Sequence, residues 1–203
     1  MTEKQLKCFT RDFPDVKELI AVQKSLKKEI NKANKRLNTN FKKFNFLSKI
    51  VEIGINDDEL EENLKMYFKN IGFEQVNKVG KHLGEEDLRI IQPDKTIIVE
   101  TTGIKKLNPT DDKTRQITKH LAVRKSMGEN VFGLFVLHSE NLKPIKERQK
   151  IPFTKKQIEY ANADKYGLVT TIDLLFAFKL IKTNKLTFKE FENKICSQGH
   201  ITF

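Results

Sequence analysis

Apolar residues in the first quarter of the chain recur mainly every three or four positions, which is the period of one face of an α-helix. They are Leu19, Val22, Leu26, Ile30, Ala33, Leu37, Phe44, Leu47 and Val51. The opposite face carries cations at Lys24, Lys27, Lys28, Lys32, Lys35 and Arg36. The pattern predicts a long, basic, amphipathic helix, with Asn38-Thr39-Asn40 as the place where it could break into two.

The N-terminal segment, residues 1–55, is compatible with three functions. It could pack on the domain that follows, or pair through its apolar stripe with a second copy or a partner subunit as a short coiled coil. It could also lay its basic face along the phosphates of a nucleic acid. Packing with some dimerisation is the simplest of these readings, and the pattern leaves the other open.

From residue 56 onward, helix and strand signals alternate. Asn56-Asp57-Asp58-Glu59 has the form of a capping box, and the apolar stripe that follows ends at Gly72. A strand is predicted over residues 73–83, and two short apolar strands then flank a turn at Pro93-Asp94. This part of the chain therefore begins with a helix and an antiparallel hairpin.

The second half of the chain predicts alternating helices and strands. They are a helix over residues 110–128, a buried strand over 130–138, a short helix capped by Thr154, a strand that passes into a helix capped by Thr170 or Thr171, a last helix capped by Thr187, and an edge strand over 200–203. The order predicts an α/β domain over residues 56–203, with a mixed sheet flanked by helices on both faces. No Gly-rich loop follows a strand, which excludes a dinucleotide site or a P-loop.

Amino-acid composition indicates the kind of binding partner and the cellular compartment. Of the 203 residues 38% are hydrophobic and 32% charged, as in a soluble globular protein, and no apolar run reaches membrane-spanning length. The net charge of +11 favours a polyanion, most simply nucleic acid. The N-terminus lacks the apolar stretch of a signal peptide. Cys8 and Cys196 have no metal-ligand spacing, which predicts reduced thiols in a cytosolic protein.

Two acidic residues stand at the outer ends of the hairpin strands. If Pro93-Asp94 is the centre of the turn, Asp87 lies opposite Glu100, and directly opposed Cβ atoms are about 4.5–5.5 Å apart. Like charges so placed repel each other, and a divalent cation such as Mg²⁺ would remove the repulsion. The sequence therefore predicts a metal site here. A longer turn or a bulge would shift the pairing, and the acids would then be solvated and unrelated.

Two of the four histidines could belong to this site, although the simpler reading makes His82 a partly exposed strand residue and His120 a packing or surface residue. His82 falls near the end of a predicted strand, and His120 shares a helix face with Gln116 four residues earlier. No pair of histidines has the spacing of zinc ligands, which argues against a zinc enzyme.

The stretches "GEEDLRI" and "IIVETTG" resemble the PD-(D/E)XK nuclease superfamily, in which an acid on one strand precedes a strand ending in Glu-x-Lys. Asp87 and Glu100 match the two acids of that pattern. The helix "ELEENLKMYFKNI" resembles the family's leading helix, where Glu61 or Glu62 would supply an extra acid, and "RQITKHL" resembles the helix that carries Gln116. The resemblance spans residues 56–203.

This resemblance implies a restriction-endonuclease-like fold and a cytoplasmic nuclease acting in restriction or anti-phage defence. The resemblance favours DNA over RNA as its substrate, and the sequence leaves RNA open. Mg²⁺ or Mn²⁺ would be held by Asp87, Glu100 and Glu61, while Gln116 would line the site. The alternative is an inactive nuclease-fold subunit that binds nucleic acid or assembles with partner proteins.

The sequence departs from the family at Thr102, where the pattern has lysine. A hydroxyl orients water but carries no positive charge, so three outcomes stay open. The site works with Thr102 itself, or a lysine reaches in from elsewhere, or the site is inactive. Lys105 and Lys106 follow Gly103 closely, and Lys119 lies one turn from Gln116, so these are the candidates for a substitute.

Overall fold

The computed structural model describes residues 14–79 and 86–203. The distal part of the strand predicted over residues 73–83, together with His82 and Cys8, lies outside these ranges. The chain divides into two compact units, Met1–Asn45 and Phe46–Phe203, and each is described by itself. No helix within the described ranges has the length and apolarity needed to cross a lipid bilayer.

One helix, α1 (Pro14–Lys49), accounts for the described part of the first unit and runs into the second. The break suggested at Asn38-Thr39-Asn40 is absent, because the helix continues through it and Thr39 Oγ1 donates a hydrogen bond to the Lys35 carbonyl at 2.9 Å. The apolar stripe of this helix is largely exposed, with both Leu19 and Leu37 at 67%.

The second unit contains the remaining elements in alternating order. They are α2 (Asp57–Ile71), β1 (Gln75–Lys78), β2 (Leu88–Ile91), β3 (Thr96–Gly103), α3 (Asp111–Ser126), β4 (Val131–His138), a 3₁₀ turn (Ile145–Glu147), α4 (Lys155–Asp164), β5 (Tyr166–Thr170), α5 (Thr171–Lys182), α6 (Phe188–Ile195) and β6 (Gly199–His200).

The strands form one mixed sheet in the order β1-β2-β3-β4-β5-β6. The pairs β1–β2 and β2–β3 are antiparallel, and each later pair is parallel. The prediction of a mixed sheet with an antiparallel entry hairpin is therefore confirmed. The final edge strand is shorter and one residue earlier than expected, since β6 contains only Gly199 and His200.

Local capping fixes where the helices begin. Thr154, Thr170 and Thr187 each form a reciprocal capping box, with Gln157, Asp173 and Glu190 respectively. At the strand-to-helix junction the cap is thus Thr170 and not Thr171. Asn56 caps α2 by accepting the Glu59 amide at 2.9 Å, and Gly72 ends that helix with a φ of 137°. A side chain would be strained at such a φ, so glycine suits the position.

The central strand β3 is buried along almost its whole length, and its polar end emerges beside α3. Ile98 of β3 packs with Ile117 and Leu121 of α3 and with Phe135 of β4 in one core cluster. A Cβ at Gly133 would lie 2.8 Å from Leu121 Cδ1, so the glycine allows α3 to approach the sheet closely. This packing fixes the first turns of α3 next to the end of β3.

Candidate active site

The hairpin register places the two predicted acids opposite each other. The Gln92 amide donates to the Lys95 carbonyl at 2.9 Å, and Leu88 pairs with Val99. The next pair in this register is Asp87 and Glu100, as predicted. Asp87 Oδ2 accepts the Thr101 amide at 2.7 Å and the Thr101 hydroxyl at 3.2 Å, so the Asp87 carboxylate is anchored to β3.

A small polar cavity of about 160 Å³ opens at the C-terminal end of β3. It is lined by Asp57, Glu61, Asp87, Glu100, Thr101, Thr102, Lys113, Gln116 and Phe135. The structure thus brings together five residues singled out from the sequence: Glu61, Asp87, Glu100, Thr102 and Gln116. Lys105 is exposed and does not line this cavity.

Glu100 is a buried carboxyl group of the cavity with a strongly raised pKa. Its side chain is 4% exposed, and burial, followed by the charges of Asp87, Glu86 and Glu61, raises its pKa to about 8. The Glu100 Oε1 atom is buried and accepts no hydrogen bond from a residue in the described ranges. A buried acid surrounded by other carboxylates is stabilised either by a proton or by a cation.

Helix α2 contributes two carboxylates that lie one turn apart, Asp57 and Glu61. Asp57 Oδ1 accepts the Gly103 amide at 3.0 Å, which ties the start of α2 to the end of β3. Glu61 is 1% exposed, and its Oε2 lies 3.1 Å from Lys78 Nζ. Of the two acids considered for the leading helix, Glu61 lines the cavity while Glu62 is half exposed and pairs with Lys65. The ion pair with Lys78 offsets the charge of Glu61.

A lysine that the sequence analysis missed enters the cavity from α3. Lys113 Nζ donates a hydrogen bond to Thr102 Oγ1 at 3.0 Å. The signal that could have found it is spacing, because Lys113 lies three residues before Gln116 and so shares its helix face.

His120 contacts the same site from the next turn of α3. Its Nε2 atom lies 3.2 Å from Glu100 Oε1, and the imidazole is 12% exposed. The expected shared face of Gln116 and His120 is confirmed, since both line the same groove along the helix.

The donors of the cavity suit a hard divalent cation. Among the residues that the structure describes, no group of three or more His, Cys, Asp or Glu side chains is arranged to hold a metal ion. Mg²⁺, however, typically binds through one or two carboxylates and keeps several of its waters. Asp87 and Glu100 match that requirement, and the buried Glu100 Oε1 atom, which makes no hydrogen bond within the described ranges and lies 3.2 Å from His120 Nε2, could accept a cation as a further partner. Glu61 would have to exchange Lys78 for the metal.

Comparison with known proteins finds similarity in structure and none in sequence. No protein-family model matches the chain, and no curated protein matches it. Restriction endonuclease FokI superposes with a TM-score of 0.55 and 17% identity, over 77% of this chain and 30% of FokI. FokI bound to DNA superposes with a TM-score of 0.56 and 18% identity over the same shares of the two chains. This chain therefore spans less than a third of the length of FokI.

A second solved structure matches over most of its length. The small subunit of the heterodimeric restriction endonuclease R.BspD6I superposes with a TM-score of 0.51 and 14% identity, over 75% of this chain and 84% of that subunit. Similarity at such identities establishes the fold. The chain therefore has the restriction-endonuclease-like fold, as expected from the sequence.

Proposed function

We propose that the chain is a metal-dependent nuclease that hydrolyses phosphodiester bonds of DNA in the cavity at the end of β3. The observation that carries the proposal is the hydrogen bond of 3.0 Å from Lys113 Nζ to Thr102 Oγ1. This hydrogen bond supports the proposal because the ammonium group lies beside Thr102, the residue at which the resemblance expects the lysine of the Glu-x-Lys pattern. Of the three outcomes left open by Thr102, we therefore favour a lysine that reaches in from elsewhere, and we assign Lys113 in place of Lys105, Lys106 or Lys119.

Each residue has a distinct role in this proposal. Asp87 and Glu100 would hold Mg²⁺ or Mn²⁺, with Glu61 as a further acid beside them. When bound, the cation supplies Lewis acidity and lowers the pKa of a coordinated water. The Lys113 ammonium would stabilise the negative charge that develops on the phosphate, and charge stabilisation of this kind is usually the largest catalytic term.

The remaining polar residues position these groups. The Thr102 hydroxyl accepts the Lys113 hydrogen bond and holds the ammonium at the end of β3. The Thr101 amide and hydroxyl hold Asp87. The exposed amide of Gln116 stands at the cavity rim, where it could donate to a phosphate oxygen.

Charge and structural similarity support DNA as the substrate. The net charge of +11 favours a polyanion, and the compared FokI structure is one bound to DNA. Both similar proteins are restriction endonucleases, which supports a role in restriction or anti-phage defence in the cytoplasm.

Cleavage of supercoiled plasmid tests the proposal directly. We expect cleavage by the wild-type chain with Mg²⁺ or Mn²⁺, none with EDTA, and none by Asp87→Ala or Glu100→Ala. Glu62→Ala is the matched control, because Glu62 is an exposed acid next to Glu61, and it should cleave like the wild type. DNA binding without cleavage, unchanged by Asp87→Ala and Glu100→Ala, would instead establish the inactive nuclease-fold subunit.

A further inference from the structure

A basic groove continues from the cavity along the outer face of α3. Its volume is about 570 Å³, and it is lined by Asp112, Lys113, Arg115, Gln116, Thr118, Lys119 and His120. Lys113 and Gln116 line both the cavity and the groove, and His120 contacts Glu100 at 3.2 Å. The two depressions therefore adjoin each other at Lys113 and Gln116, and a ligand in the groove would lie next to the cavity.

The charge of the groove fits a polyanion. Its lining contains three cations, Lys113, Arg115 and Lys119, and one carboxylate, Asp112. Arg115 is partly engaged, since its Nε lies 3.5 Å from Asp164 Oδ2 and its guanidinium stacks on Tyr160 at 4.9 Å. Lys119 is different, because it is exposed and its ammonium pairs with no residue in the described ranges.

The length of the groove fits several phosphates. Residues 112–120 rise by about 12 Å along the helix axis at about 1.5 Å per residue. A strand of B-form DNA carries one phosphate per about 3.4 Å of axis, so a groove of that length matches about three or four phosphates. The hydroxyl of Thr118 and the amide of Gln116 add neutral groups of the kind that contact phosphate and sugar oxygens.

We propose that the α3 groove binds the backbone of the DNA strand that is cut, with Lys119 contacting a phosphate next to the scissile one. This inference rests on the proposed function and identifies the surface on which the DNA backbone lies outside the cavity. Contacts of this kind fix register and orientation and carry no sequence information directly. Lys119 thus contributes binding energy, and Lys113 belongs to the reacting centre.

Equilibrium binding of a fluorescein-labelled DNA duplex, measured in Glu100→Gln across a salt series, tests the groove without cleavage. Adding Lys119→Ala should weaken binding several-fold and reduce the slope of log K against log salt by about 0.9, the value for one lost phosphate contact. Lys119→Glu should weaken binding further. Lys125→Ala is the matched control, because Lys125 is an exposed lysine on another face of the same helix, and it should change neither quantity.

The outcomes separate this inference from the proposed function. If the wild type cleaves DNA while Lys119→Ala leaves the affinity and the salt slope unchanged, the proposed binding of DNA in the groove is wrong and the proposed nuclease function still stands. If the protein does not cleave DNA but the salt slope depends on Lys119, the groove binds DNA and the proposed nuclease function is wrong. Failure of Glu100→Gln to bind the duplex at low salt would overturn the groove as well. In the cleaving protein, Lys119→Ala should raise KM and leave kcat unchanged.

Discussion

Lys113 Nζ lies 3.0 Å from Thr102 Oγ1, so a cation from helix α3 meets the end of strand β3 at the position where the sequence has no lysine of its own. The two residues are eleven positions apart and belong to different elements. The same end of β3 holds the buried Glu100 and faces Asp87. Positive charge and carboxylates therefore converge on one small cavity from separate parts of the chain.

Lys113→Met should abolish most of the cleavage activity, with a much smaller effect on DNA binding. The substitution keeps the length and apolar stem of the side chain and removes the charge that would stabilise the phosphate. Loss of one stabilising donor at a reacting centre reduces kcat by roughly 10²–10³-fold. Single-turnover cleavage at saturating protein measures this effect apart from binding.

Two further variants sharpen that experiment. Lys105→Met changes an exposed lysine outside the cavity and should retain the wild-type rate. Combining Lys113→Met with Thr102→Lys returns the lysine to the position of the family pattern and should recover part of the lost activity. Equal activity of Lys113→Met and wild type would mean that the ammonium takes no part in the reaction.

Without metal, the contribution of Glu100 to folding stability should fall as the pH rises from about 4.5 to about 8. Its pKa in the folded protein is about 8, above the ordinary value of 4.5, since burial and neighbouring acids favour the protonated form. The folded state therefore binds the proton more tightly than the unfolded state, and the loss is at most about 1.4 kcal/mol per pH unit. Urea unfolding in EDTA at pH 5 and pH 8 measures it.

Glu100→Gln separates this effect from the other acids. The amide mimics the protonated carboxyl, so the variant should match the wild type at pH 5 and be more stable than it at pH 8. An equal loss of stability in both proteins would show that Glu100 is not the group responsible.

Binding of Mg²⁺ to the wild type at pH 7 should release up to one proton. At that pH Glu100 is mostly protonated, because its pKa is about 8, and a carboxyl must ionise before it coordinates a metal. Titration calorimetry in two buffers of different ionisation enthalpy counts the protons. Buffer-independent heat of binding would contradict the assignment of Glu100 as a ligand.

Sequence patterns predict the fold and the acids of the site better than they predict its cation. The pairing of Asp87 with Glu100 follows from a turn at Pro93-Asp94 and from strand alternation, both of which are local. Lys113 could not be placed in the same way, because its position depends on how closely α3 packs on β4 over Gly133.

The suggested break in α1 fails for a local reason. Asparagine and threonine lower helix propensity by only a few tenths of a kcal/mol each relative to better helix formers, and Thr39 bonds back to the Lys35 carbonyl. Three such residues within a helix of 36 residues are therefore tolerated.

Acid should destabilise the protein through His138. This side chain is fully buried, and its Nε2 lies 2.7 Å from Arg148 Nη1, which also makes the ring an acceptor because arginine only donates. Burial and the Arg148 charge lower the pKa of His138 to about 4 from 6.5. The unfolded state thus binds the proton more tightly, and stability present above pH 6.5 should be lost as the pH falls to 4.

Thermal or urea unfolding between pH 7 and pH 4 checks this expectation. The His138 contribution should fall by at most about 1.4 kcal/mol per pH unit in that window. His138→Gln keeps an acceptor for Arg148 and has no titrating group, so its stability should fall less steeply with acid. If stability falls equally steeply with acid in the wild type and in His138→Gln, His138 is not the group responsible.

The exposed stripe of α1 should make the chain associate with a second copy. Leu19, Ile30 and Phe41 are spaced by eleven residues, a period that keeps apolar side chains in line on a nearly straight helix, and they are 67%, 58% and 66% exposed. Burial of one such side chain stabilises a complex by about 1.5–3 kcal/mol. A second copy presents the same period, and the stripe lies opposite the lysine face.

Light scattering of the full chain decides between association and a free helix. We expect twice the chain mass of 23.7 kDa for the wild type and the single mass for Leu26→Glu combined with Ile30→Glu, which places charges in the middle of the stripe. Lys28→Glu introduces the same residue on the opposite face and should leave the mass doubled. A wild type that stays at the single mass at high concentration would contradict self-association, and the stripe would then be a contact surface for a different subunit.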